Sequence, residues 1–266
     1  MFKFSNEQIQ GLSKKGLSHK DFFAQCPFNI EECLEVLLAQ GVEVYVKRGK
    51  YFFKSCETMI HEENYCIVDI EANGSDTKKH QIIEIGAVKI KDGKIVDTYE
   101  SLVYCEDISR HIVELTGITP EMTKDAPYLN KVMQEFRLFL GTDVFIAHAV
   151  KFDYNYISDM FEKCNLLPLQ NRFLCSIGLA ERSFISYKYG LKYLNDNLKL
   201  YETAEHHRAL SDAMTTAKLF QYTLKHVDKE IRTSEELIRF SKEARRLKRP
   251  MFDPNIVQEN EEIEAK

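Results

Sequence analysis

Four carboxylates and one histidine, spread over three short segments, are the residues in this chain best placed to do chemistry together. The first segment, Tyr65-Cys66-Ile67-Val68-Asp69-Ile70-Glu71, reads as a buried strand ending in acid. The second is Phe145-Ile146-Ala147-His148-Ala149-Val150-Lys151-Phe152-Asp153, and the third His206-His207-Arg208-Ala209-Leu210-Ser211-Asp212-Ala213. Buried acids repel one another and lose hydration, so a fold tolerates several together only when cations bind them. Ligands that are all oxygen select hard ions, Mg²⁺ or Mn²⁺, over zinc. This combination points to metal-dependent phosphoryl chemistry.

Side chains alternate along a strand, so Asp69 and Glu71 share a face with their Cα atoms about 6–7 Å apart. Asp153 and Asp212 come from other elements and complete a two-ion site. Two such ions can stabilise the attacking and the leaving oxygen of a displacement at phosphorus. His207 is the natural base, because neutral imidazole is available near neutral pH. On one ideal helix His207 and Asp212 would lie about 140° apart. They converge only if His207 sits in the loop before a helix and Asp212 on its first turns. His206 competes as the base and ranks second.

Three zones must position these groups. In residues 1–62, helices are predicted at Ser5–Lys14, His19–Gln25 and Asn29–Gln40, followed by a hairpin with the basic tip Lys47-Arg48-Gly49-Lys50. This pattern suggests a small winged-helix-like module, of a kind that often binds DNA. Its charges balance, however, at eight basic and eight acidic, which favours a docking role. Residues 63–226 alternate strand and helix. Strands are predicted at Tyr65–Glu71, Gln81–Ile90, Ile95–Tyr104 and Asp143–His148, the second and third forming a hairpin. Helices are predicted at Ser109–Thr116, Asn130–Leu140, Tyr154–Cys164, Ser176–Phe184, Leu191–Asn197 and Ala209–His226. The fold class is α/β, a mixed sheet with an antiparallel edge hairpin and helices on both faces. Residues 227–266 read as a basic helix over Ser234–Lys248, then an acidic, disordered tail beginning at Asp253.

Composition sets the outer bounds. The chain has 266 residues, 44% hydrophobic and 29% charged, the balance of a soluble globular protein. No apolar run is long enough to span a bilayer, and the first residues contain no secretory apolar region. Seven cysteines without a CxxC pair predict reduced, mostly buried thiols and a cytoplasmic setting. With a net charge of −5, any nucleic acid must be held by local basic patches and metal ions.

Asp-x-Glu, then Phe-Asp, then His with Asp five residues on, in this order, resembles the pattern of the DEDDh 3′→5′ exonucleases. Within them the chain is most similar to the proofreading (epsilon) subunits of bacterial DNA polymerase III. The strings Gln81-Ile82-Ile83-Glu84-Ile85-Gly86-Ala87-Val88 and Leu115-Thr116-Gly117-Ile118-Thr119-Pro120-Glu121-Met122 extend the likeness, which runs from about Tyr65 to His226. The resemblance implies a ribonuclease-H-like, five-stranded fold and release of 5′-nucleoside monophosphates from the 3′ end of single-stranded or frayed DNA. It further implies two Mg²⁺ ions, with Mn²⁺ able to substitute. Asp69, Glu71 and Asp212 would hold one ion, Asp69 and Asp153 would serve the second, and His207 would activate water. A DNA polymerase catalytic subunit is the implied partner.

On the substrate side the resemblance implies Ala72, Asn73, Gly117, Ile118 and His148, although His148 by itself reads as a hydrogen-bonded packing residue. Two positions depart from the family. Ala72-Asn73-Gly74 replaces the usual Thr-Thr-Gly and removes a hydroxyl. His148-Ala149 replaces His-Asn and removes a polar side chain. Neither touches a metal ligand, so affinity or base preference should change before activity is lost. RNA trimming by the same chemistry, or a silent polymerase-docking subunit, are the competing readings.

Overall fold

The computed structural model describes residues 3–24, 26, 29–204 and 207–253. Side-chain caps set the first helices. Ser5 caps α1 (Asn6–Lys14) in a reciprocal box: its Oγ accepts from the Gln8 N–H, and Gln8 Oε1 accepts from the Ser5 N–H. Ser18 and Asn29 cap α2 (His19–Phe23) and α3 (Ile30–Ala39) in the simpler way. Strands β1 (Leu17–Ser18), β2 (Val44–Lys47) and β3 (Lys50–Phe53) form an antiparallel sheet in the order β1-β3-β2. Between helices and sheet lie Phe4, Leu12, Phe22, Cys33, Leu37, Val42 and Phe53. Cys26 and Cys33 form a disulfide with Cα atoms 6.4 Å apart. The expectation that every thiol is reduced is thereby corrected: Cys26 is bonded to Cys33 in the first turns of α3. The other five cysteines are free.

The larger sheet grows from two apolar runs. β4 (Tyr65–Ala72) pairs antiparallel with β5 (Ile82–Lys91), which turns into β6 (Lys94–Leu102). On the other side β4 pairs parallel with β7 (Val144–Ala147), and β7 with β8 (Phe173–Cys175). The resulting order is β6-β5-β4-β7-β8, the mixed sheet with an antiparallel edge hairpin that the sequence predicts. β8 escaped prediction because three residues are too few to show a period.

Alternation along β4 assigns its two faces. Cys66, Val68 and Ile70 pack with Val132, Met133 and Phe136 of α6 (Leu129–Leu140), and with Ile157, Met160 and Phe161 of α7 (Lys151–Lys163). Tyr65 and Ile67 pack on the opposite face. Their neighbours there are Leu179 of α8 (Ser176–Ser183), Ala213, Ala217 and Phe220 of α10 (Ala209–Leu224), and Leu237 and Ile238 of α11 (Ser234–Glu243). Asp69 and Glu71 continue this second row. Three shorter helices, α4 (Arg110–Thr116), α5 (Pro120–Thr123) and α9 (Leu191–Leu198), complete the covering.

One glycine sets how near α10 comes. Gly86 lies opposite Asp69 in β5, and a Cβ built there would stand 2.2 Å from the Leu210 nitrogen. Only a hydrogen fits between the strand and the start of the helix.

The small module is joined to this domain through a buried carboxylate. Glu235, 1% exposed, accepts from the hydroxyls of Ser13 and Ser55, each at 2.6 Å, and from the Arg172 guanidinium at 2.5 and 2.9 Å. Burial pushes this carboxyl up, but Arg172 and the two hydroxyls outweigh burial and hold it below the usual carboxylate range.

The basic segment departs from expectation. α11 stops at Glu243 rather than Lys248, because the following residues are held by Glu181. That carboxylate binds Arg246 at 3.0 Å and Arg249 at 2.5 Å, and the Glu181 carbonyl accepts from the Leu247 N–H at 2.9 Å. Lys242 lies 4.0 Å from the Phe173 ring centroid. The segment is therefore tethered to the domain through Glu181 while Lys242, Arg245, Arg246, Lys248 and Arg249 stay exposed. Asp253 is buried and accepts from the Tyr193 hydroxyl at 3.1 Å, so it is not part of a disordered tail; the remaining tail acids lie outside the described residues.

Two outcomes follow from the backbone. Gly86→Ala forces α10 off β5 and should lower stability by about 1–3 kcal/mol; an unchanged urea midpoint would refute the close-approach argument. Ala149 is exposed and holds φ at 71° between β7 and α7, where a Cβ is strained. Ala149→Gly should therefore be neutral to stabilising, by up to about 1 kcal/mol, and a clear loss on urea unfolding would show that the strain is not there.

Candidate active site

Asp69 and Glu71 sit at the C-terminal end of β4, and the register shifts just after Glu71. Asp153 follows the adjacent parallel strand β7, within the first turn of α7. Asp212 lies on the first turns of α10, with His207 in the preceding loop. His207 takes φ 63°, and its backbone N–H donates to Asp212 Oδ2 at 2.9 Å. That turn solves the angular problem of the five-residue offset. Glu71, His207 and Asp212 each bring one ligand atom to a point where all three lie within 4.8 Å of one another. His206 lies outside the described residues.

The electrostatics are those of acids pressed together. Burial raises the Asp69 carboxyl well above its ordinary range, and Asp153, Asp212, Glu71 and Glu84 raise it further. Glu71 is pushed up to about 7, by burial first and then by Asp212, Glu84 and Asp153; Arg208 counters only in part. Asp153 is likewise pushed to about 7 by burial, against the backbone N–H groups of Asp153 and Ile70. Such a set favours protons or metal cations.

A supporting layer went unrecognised in the sequence. Glu84 is fully buried opposite Glu71. Arg208 Nη2 donates to its Oε1 at 2.7 Å, Arg208 Nε donates at 3.0 Å, and the Ala209 N–H donates to Oε2 at 2.8 Å. Glu84 thus clamps the start of α10 to β5, just where Gly86 permits contact. A lone acid inside an apolar strand, two residues from a glycine, was the available signal.

The residues expected on the substrate side are not equivalent. Ala72 is half-buried at the strand end. Asn73 is committed to the fold: its amide donates to the Asp107 carbonyl at 2.8 Å, its Oδ1 accepts from Gln81 N–H at 2.8 Å, and its own N–H donates to the Gln81 carbonyl at 3.1 Å. The structure therefore gives Asn73 a loop-fixing role. Ile118 is fully buried with Ile83, Cys105 and Ile108, so its side chain supports the loop from beneath, while Gly117 is exposed at φ 71°. His148 Nδ1 lies 2.8 Å from Ser176 Oγ, tying β7 to α8. Burial pushes its imidazole down to about 4.

Comparison with known proteins places the fold in a family. Residues 66–220 match the exonuclease family model RNase_T. The chain is 35% identical over 171 residues to the PolC-type DNA polymerase III of Staphylococcus haemolyticus (strain JCSC1435), covering 63% of this chain and 12% of that protein. It is 34% identical over 188 residues to the Thermotoga petrophila protein of the same name, covering 70% of this chain and 13% of that one. The chain thus spans a small fraction of these polymerases. Among solved structures, Exonuclease X in complex with 5′ overhanging duplex DNA aligns with a TM-score of 0.54 at 27% identity, over 66% of this chain and 99% of that one. Exonuclease I of E. coli in complex with a dA16 oligonucleotide aligns with a TM-score of 0.56 over 62% of this chain and 41% of that chain; at 12% identity this likeness concerns the fold alone. With its sheet, its acid set and the match over residues 66–220, the chain belongs to the RNase_T exonuclease family.

Proposed function

We propose that the protein removes nucleotides from the 3′ end of single-stranded or frayed DNA, releasing 5′-nucleoside monophosphates during replication or repair. The observation that carries this reading is the convergence of Glu71, His207 and Asp212 within 4.8 Å, beside two further carboxyls, Asp69 and Asp153, that burial drives toward binding a cation.

The residues fit divalent ions. Their oxygens are hard ligands, three of the carboxyls are raised above their ordinary range, and the neighbouring guanidinium, Arg208, is bound to Glu84. Asp69, Glu71 and Asp212 would hold one ion, and Asp69 with Asp153 the other. Two bound Mg²⁺ ions would offset the acids' charge and stabilise both oxygens of the displacement. The His207 ring is exposed, where it can take a proton from the attacking water as that oxygen bonds to phosphorus. The P–O3′ bond then breaks, the leaving 3′ oxygen takes a proton from solvent water, and His207 returns its proton to solvent. Asp212 fixes the His207 loop through the backbone N–H it accepts.

DNA is favoured over RNA by the PolC-type relatives and by the DNA-bound Exonuclease X. Those relatives also support a DNA polymerase catalytic subunit as partner and a cytoplasmic setting. Among the described residues, no helix is long and apolar enough to cross a membrane. We read residues 1–62 as a winged-helix-like module, supported by the element order α1-β1-α2-α3-β2-β3. The exonuclease domain then spans 63–226, followed by the segment 227–266.

On 5′-labelled single-stranded DNA with Mg²⁺, the wild-type chain should give a ladder receding from the 3′ end. Asp69→Asn and Asp212→Asn should abolish it, and His207→Gln should slow it by about 10²–10⁴-fold. Full activity in either Asn variant refutes the mechanism, whereas a faster ladder on matched RNA would move the function to RNA processing.

The raised carboxyls also predict a pH effect. Because the folded protein holds protons that the unfolded chain releases between about pH 4 and 7, stability in chelator should fall as pH rises through that window. Divalent ions should recover it at about pH 7.5 by occupying the same oxygens. A melting temperature indifferent to both pH and Mg²⁺ would count against the acid cluster as a metal site.

A further inference from the structure

A second site lies far from the acids. Between the β2–β3 hairpin, the end of α1 and the start of α11 is a cleft of about 580 Å³ lined by Lys14, Lys15, Lys47, Arg48, Lys50 and Arg239. Its two acids are already engaged. Glu235 is bound by Arg172, and the Glu236 carboxylate accepts from the Arg232 and Thr233 N–H groups at 2.9 and 3.0 Å. Lys14 pairs with Glu243 at 2.9 Å. Among the described residues no ion pair involves Lys15, Lys47, Arg48 or Lys50, and Arg239 Nε is buried without a hydrogen-bond partner.

The hairpin concentrates this charge at a cost. Lys47 and Lys50 are direct cross-strand partners, with Arg48 between them at φ 51° and Gly49 at φ 73°. Like charges placed opposite each other destabilise a strand pair, and a polyanion in the cleft would reverse that sign. Two aromatic rings also line it: Tyr45 and Phe52, stacked with centroids 5.6 Å apart. Cations interleaved with rings are what a single-stranded nucleic acid requires, the cations for phosphates and the rings for bases. The opposite polarity occurs on α3, which carries Glu31, Glu32 and Glu35 and no basic residue. A helix-turn-helix reader docks its second helix on DNA; here that helix is acidic, and the basic residues lie on the hairpin side.

Position completes the argument. Ser234, at the start of α11, donates its N–H to the Thr58 carbonyl and its hydroxyl to Glu63, just before β4 begins. Asp69 and Glu71 lie at the far end of that strand, roughly 20 and 26 Å from Glu63 at the usual rise. The cleft cannot hold the terminal nucleotide when that nucleotide is at the acids. We propose that it is a distal anchor for the sugar-phosphate backbone of a single-stranded nucleic acid, engaging the strand several nucleotides from the 3′ end. The inference takes its polymer class from the proposed exonuclease function, but binding can be read without hydrolysis.

The test uses the full-length chain in chelator, with fluorescence anisotropy on single-stranded DNA of about 30 and about 4 nucleotides over a salt series. Lys47→Gln/Arg48→Gln/Lys50→Gln should weaken binding to the long strand roughly tenfold or more and lower the salt slope by about 2, three contacts at about 0.7 each. The short strand should bind wild type more weakly than the long one, because it offers fewer phosphates to the cleft. Lys47→Arg/Lys50→Arg, which keeps the charge, should bind the long strand like wild type. Equal affinity and slope for wild type and the triple variant on the long strand would overturn the proposal. A missing hydrolysis ladder would refute the exonuclease reading and leave this binding result standing.

Discussion

The nearness of α10 to β5 governs the whole site. Gly86 supplies the space, and Glu84, buried within the strand, supplies the hold by accepting from Arg208 and from the first N–H of the helix. A buried carboxylate is costly to strip of its donors, so the helix start has little freedom to slide. Asp212 and His207 reach β4 because this clamp delivers them, and it ties the start of α10 to β5 although 124 residues separate Arg208 from Glu84.

Rigidity is needed because the site works against its own stability. Acids that repel one another in partly dry surroundings would spread apart in a loose scaffold, relieving the repulsion and losing the geometry. Here they are fixed on strand ends and first helical turns. Two backbone positions beside them, Ala149 and His207, hold positive φ. Strain of this kind persists only where surrounding contacts determine the conformation. For His207 the contact is the hydrogen bond to Asp212.

Much of this was legible because it is local and periodic. Strand alternation put Asp69 and Glu71 on one face, and the offset between His207 and Asp212 required a loop followed by a helix start, which α10 provides. What escaped depends on partners distant in sequence. The Glu84–Arg208 clamp, the shortening of α11 by Glu181 and the internal use of Asn73 are tertiary hydrogen bonds that no window of neighbouring residues encodes. The Cys26–Cys33 bond was missed for a related reason: an odd count and apolar neighbours describe the thiols on average, not which two of them meet.

Glu235 has an implication for how this architecture can change over time. Its donors come from three separate stretches, Ser13, Ser55 and Arg172, two of them belonging to the small module. If that module were lost, exchanged or partly detached, a sealed carboxylate would remain with half its partners gone. Relatives that carry the nuclease fold without this module should therefore have replaced the glutamate, and those that retain the module should keep the acid together with its two serines. Position 235 thereby becomes a marker of ancestry, recording on the segment that follows the nuclease domain whether a chain was built with its N-terminal companion.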